Sequence, residues 1–315
     1  MVRTVILGML AVSALMGNCG DDMKVRETVF CIAMVTGHLY GQVNGGEVHS
    51  LGIGVYNPTE SGHGTVSVGI ATSEGIVLAA DSRMTTNTRV ISDYASKLFD
   101  VGHIGIAIYG QAFLDNRNIA SWIADFRPTH QAEDVEEIAR DLTAFIAVPY
   151  DAQFPQGAAV RPPLGFFIGG YDAHRVGRLI QVEFPNARQA NTVFTTQRPG
   201  AQWGGNTDVI TRLILGFDPR LGDLPIFSTL TPEQMATVRP QLTQLQYNIP
   251  FDALTLQDGI DLALSLVRTT VEMQRFADGT IGHPGQIPSV GGAVDVLVVM
   301  PSELRWIRRK ELRAQ

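Results

Sequence analysis

Three residues could do chemistry together: Thr65, Asp81 and Lys97. Thr65 follows Gly64 where irregular chain gives way to a β-rich stretch. As an internal residue it is simply a good strand former. If the chain is cut after Gly64, its freed α-amine has an ordinary pKa of about 7.7–8.0, far below a lysine's. That amine can act as base for its own hydroxyl, directly or through a water, so one residue supplies nucleophile and base. A lysine close by would favour the neutral amine and lower the pKa of the hydroxyl. A carboxylate bonded to that lysine would fix its position.

Lysine is rare enough here to be informative. Of 24 basic residues only Lys24, Lys97 and Lys310 are lysine, and the rest are arginine. Arginine stays charged at any workable pH, whereas a buried lysine can shift its pKa and take part in proton traffic. Leu98 and Phe99 give Lys97 apolar neighbours. Asp81 closes the apolar run Ile76 to Ala80, where a carboxylate must reach solvent or find a partner. Read alone, Asp81 starts a turn with Ser82 and Arg83; a lysine partner would make its placement sensible.

The elements that must position these residues are legible in outline. Residues 65–72 and 75–81 read as a hairpin around Ser73-Glu74, and 104–109 as a third strand ending at Gly110. Helical spacing of apolar residues covers 113–126 and 132–147, the second opening on acidic residues that suit a helix N-terminus. Residues 164–171 and 177–184 read as a strand pair, and 206–216, 232–245 and 256–276 as helices. Residues 293–300 read as a last buried strand. Strands and helices in blocks argue against a doubly wound parallel sheet. They suit an α+β arrangement of two packed sheets with helices on both outer faces.

Composition bounds the alternatives. The chain has 315 residues, 45% hydrophobic and 17% charged, with a formal net charge of -7. No basic patch points to nucleic acid. The one cationic run, Arg305 to Arg313, reads as a solvated tail or last turn. Both cysteines, Cys19 and Cys31, lie early, so the rest of the chain has no disulfide framework or cysteine-ligated metal site. No histidine pair has zinc-ligand spacing, so neither metal nor cofactor is expected. Glycines near 52–64 lack the Gly-Lys-Ser/Thr of a phosphate loop. Arg3 followed by the apolar run Val5 to Gly17 gives residues 1–19 a signal-like shape, too short for a comfortable membrane span.

The segments GTVSVGIATSEGIVLAADSR (64–83), ASKLF (95–99) and IGIAIYG (104–110) resemble the opening of proteasome β-subunits. In that family an N-terminal threonine is followed by an acidic residue 16 positions later and a lysine 32 positions later, the spacing of Thr65, Asp81 and Lys97. The resemblance implies a four-layer αββα sandwich of the N-terminal nucleophile hydrolase class, with a leader of residues 1–64 and a hydrolase domain of 65–315. It implies that Thr65 is the nucleophile, tuned by Asp81 and Lys97, and that processing occurs between Gly64 and Thr65. It also implies that Gly110 offers the backbone N–H of an oxyanion hole, one residue short of the usual spacing, and that Arg83 matches a basic position of the same turn. FFIGGYD (166–172) and SVGGAVDV (289–296) look like later family strands. There Ser289 is offset by one residue from the serine that supports the threonine amine, Asp278 is a weaker candidate partner, and no serine is evident near Gly204-Gly205-Asn206. By the same offset Met84, Ala95, Phe99 and Ile108 fall near the first specificity pocket, or are ordinary core.

The activity so implied is a self-processing threonine peptidase that acts on peptide or protein through a threonine ester. It would work in a homo-oligomeric ring without a membrane span in the mature chain, in the cytoplasm, or exported if residues 1–19 act as a signal. Two other readings stay open: an amidase or acylase of the same architecture acting on a small amide, and a non-catalytic proteasome-like ring subunit.

Overall fold

The computed structural model describes residues 65–311 apart from 87–88, 131–132 and 281–282. Gly64, the expected leader of 1–64, its signal-like segment 1–19 and both cysteines lie outside the described residues.

Ten strands build two antiparallel sheets: β1 (Val66–Ala71), β2 (Ile76–Ala80), β3 (Leu98–Val101), β4 (Ile104–Gly110), β5 (Leu164–Tyr171), β6 (Gly177–Phe184), β7 (Ala187–Thr195), β8 (Gly200–Gly205), β9 (Asp295–Val299) and β10 (Leu304–Arg308). One sheet has the order β8-β1-β2-β9-β10, the other β7-β6-β5-β4-β3. They stack face to face, β1 and β2 lying against β4, β5 and β6. The outer face of the second sheet is covered by α1 (Ile119–Phe126) and α2 (Val135–Gln153), whose apolar sides join Ile104, Ile106, Ile108, Phe166 and Ile168 in one buried cluster. The first sheet is covered by α6 (Leu256–Phe276), with α3 (Asp208–Leu215) beside it. Between these two helices in sequence run α4 (Pro225–Ser228) and α5 (Pro232–Thr243), and α5 buries none of its residues. The result is the expected four-layer αββα sandwich: β1 and β2 are buried on both sides, which is why they read as continuous apolar runs.

Several expected elements differ. Residues 113–118 are not helical: Asp115 and Asn116 both adopt positive φ, closing a short ladder, and Asn118 then caps α1 through the Ser121 N–H. The second helix runs beyond 147 to Gln153 and contains Pro149, because Pro149 and Tyr150 are buried against the second sheet's end. Its start follows Asp134, which accepts from the N–H groups of Glu136 and Glu137. β3, β7, β8 and β10 were not expected from the sequence. β7 and β10 are edge strands with exposed polar or charged residues, which mask the alternation that reveals a strand. The Arg305–Arg313 run is therefore corrected: its first half is strand β10, and Lys310, expected in solvent, buries its ammonium against Asp295.

Candidate active site

Thr65 stands at the mouth of β1 and is 6% exposed. Its carbonyl oxygen accepts a 2.7 Å hydrogen bond from the Asn206 N–H, just past the end of β8. Val66 pairs with Gly205 in the β1–β8 register, and Gly205 has φ +89°. A Cβ on Gly205 would lie 2.0 Å from the Thr65 carbonyl oxygen, so only glycine lets β8 approach this closely.

Asp81 emerges from the buried end of β2 and is 1% exposed. Its carboxylate accepts four hydrogen bonds. Oδ1 takes the Val66 N–H at 3.0 Å and the Lys97 ammonium at 2.8 Å. Oδ2 takes the Arg83 N–H at 3.0 Å and the Gly291 N–H at 2.9 Å. The residue next to Thr65 and the Lys97 ammonium thus meet on one oxygen, so Asp81 ties lysine and threonine ends together. Lys97, just before β3, is almost fully buried, and its carbonyl accepts from the Ile108 N–H of β4. Burial lowers the Lys97 pKa; the charge of Asp81 and its hydrogen bond pull the other way, while Lys310 and Arg83 add to the lowering.

Arg83 frames this pair. Its guanidinium makes a two-pronged contact with Asp93, at 2.6 and 3.1 Å, and donates to the Pro288 carbonyl at 3.3 Å. The Asp93 hydrogen bond raises its pKa against the cost of burial. A Cβ on Gly291 would sit 2.6 Å from that guanidinium, so the Gly-Gly turn leaves the room that Arg83 occupies. Ser82 closes the frame, donating its N–H to the Gly291 carbonyl and accepting from the Ala95 N–H.

Gly110 ends β4 with φ +86°, and a Cβ there would lie 2.2 Å from the Pro163 carbonyl oxygen. Its neighbour Gln111 donates its N–H to that same oxygen at 2.8 Å. Tyr109, on the other side, turns into the layer between the sheets. Its hydroxyl donates to Glu183 at 2.9 Å and accepts from Gln181 at 2.7 Å, and Gln202 donates to Gln181 at 3.2 Å. Burial pushes both the Tyr109 and Glu183 pKa values up. Gly165 and Gly204 leave space for the Tyr109 ring, whose atoms would meet a Cβ at 2.0 and 2.6 Å.

The later support residues are divided. Ser289 accepts a 3.1 Å hydrogen bond from the Asn206 side chain, and Asn206 is the residue whose N–H holds Thr65. No serine stands near Gly204-Gly205-Asn206, as the sequence indicates, but the asparagine itself does what local pattern does not announce. The Asn side chain supplies the polar group there, and its position just after a strand-ending Gly-Gly pair was the available signal. Asp278 is exposed at the foot of the short Gly279–Thr280 and His283–Pro284 ladder, where its carbonyl accepts from the Gly285 N–H. Of the residues placed near a specificity pocket, Ile108 belongs to the core beneath α1 and α2 with Phe99 packed against it, while Met84 and Ala95 are partly exposed.

Two stacked antiparallel sheets between helical layers, with a threonine heading the first strand and a buried carboxylate–lysine pair at its end, define a proteasome-like α+β sandwich. Comparison with protein families agrees: the proteasome subunit family matches residues 61–187, from just before Thr65 through β6 and its following turn, which is consistent with a proteasome β-subunit-like family. Comparison with curated proteins found no match. Among the described residues no cluster of three or more His, Cys, Asp or Glu side chains is placed to hold a metal ion. Among them, too, no helix is long and apolar enough to cross a membrane.

Proposed function

We propose that this protein is a self-processing threonine peptidase of the proteasome type, with Thr65 as nucleophile. The observation that carries the reading is the shared Asp81 Oδ1, which binds both the Lys97 ammonium and the N–H next to Thr65. The family match supports a proteasome-like role.

In this reading Thr65 Oγ attacks the carbonyl carbon of the Gly64–Thr65 bond, the C–N bond breaks, and the nitrogen takes up the hydroxyl proton. Water then hydrolyses the ester, leaving a Gly64 carboxylate and a free Thr65 amine. In turnover that amine, near neutral in pKa, takes the hydroxyl proton, and Thr65 attacks a substrate peptide. Lys97 supplies positive charge that favours the alkoxide, Asp81 holds Lys97, and Gly110 offers backbone to the developing oxyanion. Arg83 braces the turn. Asn206 holds the Thr65 carbonyl through its N–H, and Ser289 braces the Asn206 side chain. Ring assembly would enclose the site.

The test is the intact mass and N-terminal sequence of the purified chain beside a Thr65→Ala variant. Wild type is expected to begin at Thr65 and the variant to keep residues 1–64. A wild-type chain left uncut through Gly64–Thr65 under native conditions overturns the reading and leaves the non-catalytic ring subunit.

A further inference from the structure

Both described lysines, Lys97 and Lys310, are buried, and each is paired with a buried aspartate. The site above uses only the first pair. The second lies close behind it. Asp295 opens β9 opposite Ala80, the residue before Asp81. Ala80 also pairs with Ser67, whose hydroxyl donates to the Ile108 carbonyl of the other sheet. Asp295 therefore lies on the sheet face turned inward, at the Asp81 end of β2.

Asp295 takes two donors from Lys310: its N–H at 2.7 Å on Oδ1, and its ammonium on Oδ2. The side chains are only 6% and 4% exposed. Such a pair is a poor source of stability, because desolvating two charges offsets most of their attraction. A chain that otherwise favours arginine has a lysine here, on an aspartate that lies opposite the residue before Asp81, the partner of Lys97.

We propose that Lys310, seated on Asp295, is a positioning residue that keeps the Lys97 proton mobile during self-processing. The inference rests on the function proposed above. Before Gly64–Thr65 is cut, the Thr65 nitrogen is an amide and cannot serve as base. The Thr65 hydroxyl proton then passes to a neutral Lys97 Nζ as Oγ bonds to the Gly64 carbonyl carbon. Lys97 returns the proton to the departing nitrogen, and water later opens the ester. Lys97 must therefore spend part of its time neutral. Asp81 opposes this; burial, Lys310 and Arg83 favour it. Arg83 is paired with Asp93 as Lys310 is with Asp295, but the Arg83 pair is partly exposed, so solvent screens its field. Lys310 is buried, with Asp295 as its partner, and its field on Lys97 is screened much less.

The chain's three lysines make a direct test practical. The full chain, carrying ¹⁵N,¹³C-lysine and Thr65→Ala so that it stays uncut, is titrated by NMR with Lys310, Lys310→Arg or Lys310→Met; Lys97→Arg assigns the Lys97 signal. The processing rate against pH is measured in the same variants with Thr65 intact. Lys310→Met is expected to move both the Lys97 titration and the processing profile to higher pH, and Lys310→Arg to leave both near wild type. Lys310→Met/Asp295→Asn removes the pair without leaving a lone buried charge and guards against misfolding; it is expected to shift both in the same direction by less, because the opposing charge of Asp295 goes with it. An unmoved Lys97 titration in the folded Met variants overturns the inference, as does a processing profile that ignores them while wild type is cut normally. A wild type that is never cut refutes the proposed function itself, and this role with it.

Discussion

Gly205→Ala is a sharp test of how Thr65 is held. A Cβ there would stand 2.0 Å from the Thr65 carbonyl oxygen, whereas ordinary contact begins at 3.4 Å, so about 1.4 Å must be found. The obstacle is backbone and cannot swing aside as a side chain could. Thr65 or β8 must shift, which breaks the 2.7 Å bond from the Asn206 N–H. The positive φ of +89° costs an alanine about 1–2 kcal/mol, and the lost hydrogen bond about 0.5–1.5 kcal/mol. The expected loss of stability is therefore about 1.5–3.5 kcal/mol, read from urea unfolding. Displacing a reacting group by about 1 Å can cost about 100-fold in rate, so Gly64–Thr65 cleavage, followed by mass, should slow by about that factor. Gly102→Ala is the control: its φ is +58° but a Cβ would meet nothing within 4 Å. It should lose only the backbone component and process normally. If Gly205→Ala unfolds and processes like Gly102→Ala, the β8 approach does not hold Thr65 and the reasoning fails.

Asp81→Asn leaves Lys97 buried without its counter-charge and sets an amide against two of the four donors that converge on the carboxylate. A loss of about 3–5 kcal/mol in urea unfolding is expected, with processing abolished; a stable, self-processing Asp81→Asn chain would contradict the site. Glu183 has its folded pKa raised by burial, so the native state holds the proton more tightly than the unfolded chain. Its contribution is full below the ordinary glutamate range and is lost as pH rises from there through the raised value. Glu183→Gln should flatten that part of the stability–pH curve, and an unchanged slope would show that Glu183 is not the group responsible. Asp134→Ala removes the α2 cap and a further bond to the Ala173 N–H, for an expected loss of about 1–2 kcal/mol without effect on processing. Urea midpoints and cleavage rates measured side by side check both halves of that expectation.

The residues alone determined much of this site. The meeting of Asp81 and Lys97 was legible because a buried carboxylate at a strand end and a rare lysine beside apolar residues are costly unless they pair. The buried strands β1, β2, β5 and β9 were legible because strands covered on both faces must be apolar throughout. The edge strands β7 and β10 were not, since an edge is kept charged or polar to avoid further pairing. Lys310 read as solvated tail for the same reason: only the β9–β10 hairpin, with its register shift between Val296 and Leu297, carries it back to Asp295. Asn206 was passed over because its importance lies in its backbone N–H and in the Ser289 side chain 83 residues away. Local pattern can report burial and turn chemistry. Which distant backbone groups converge on one carboxylate, and which second ion pair stands behind it, is decided only when two sheets stack and set their registers.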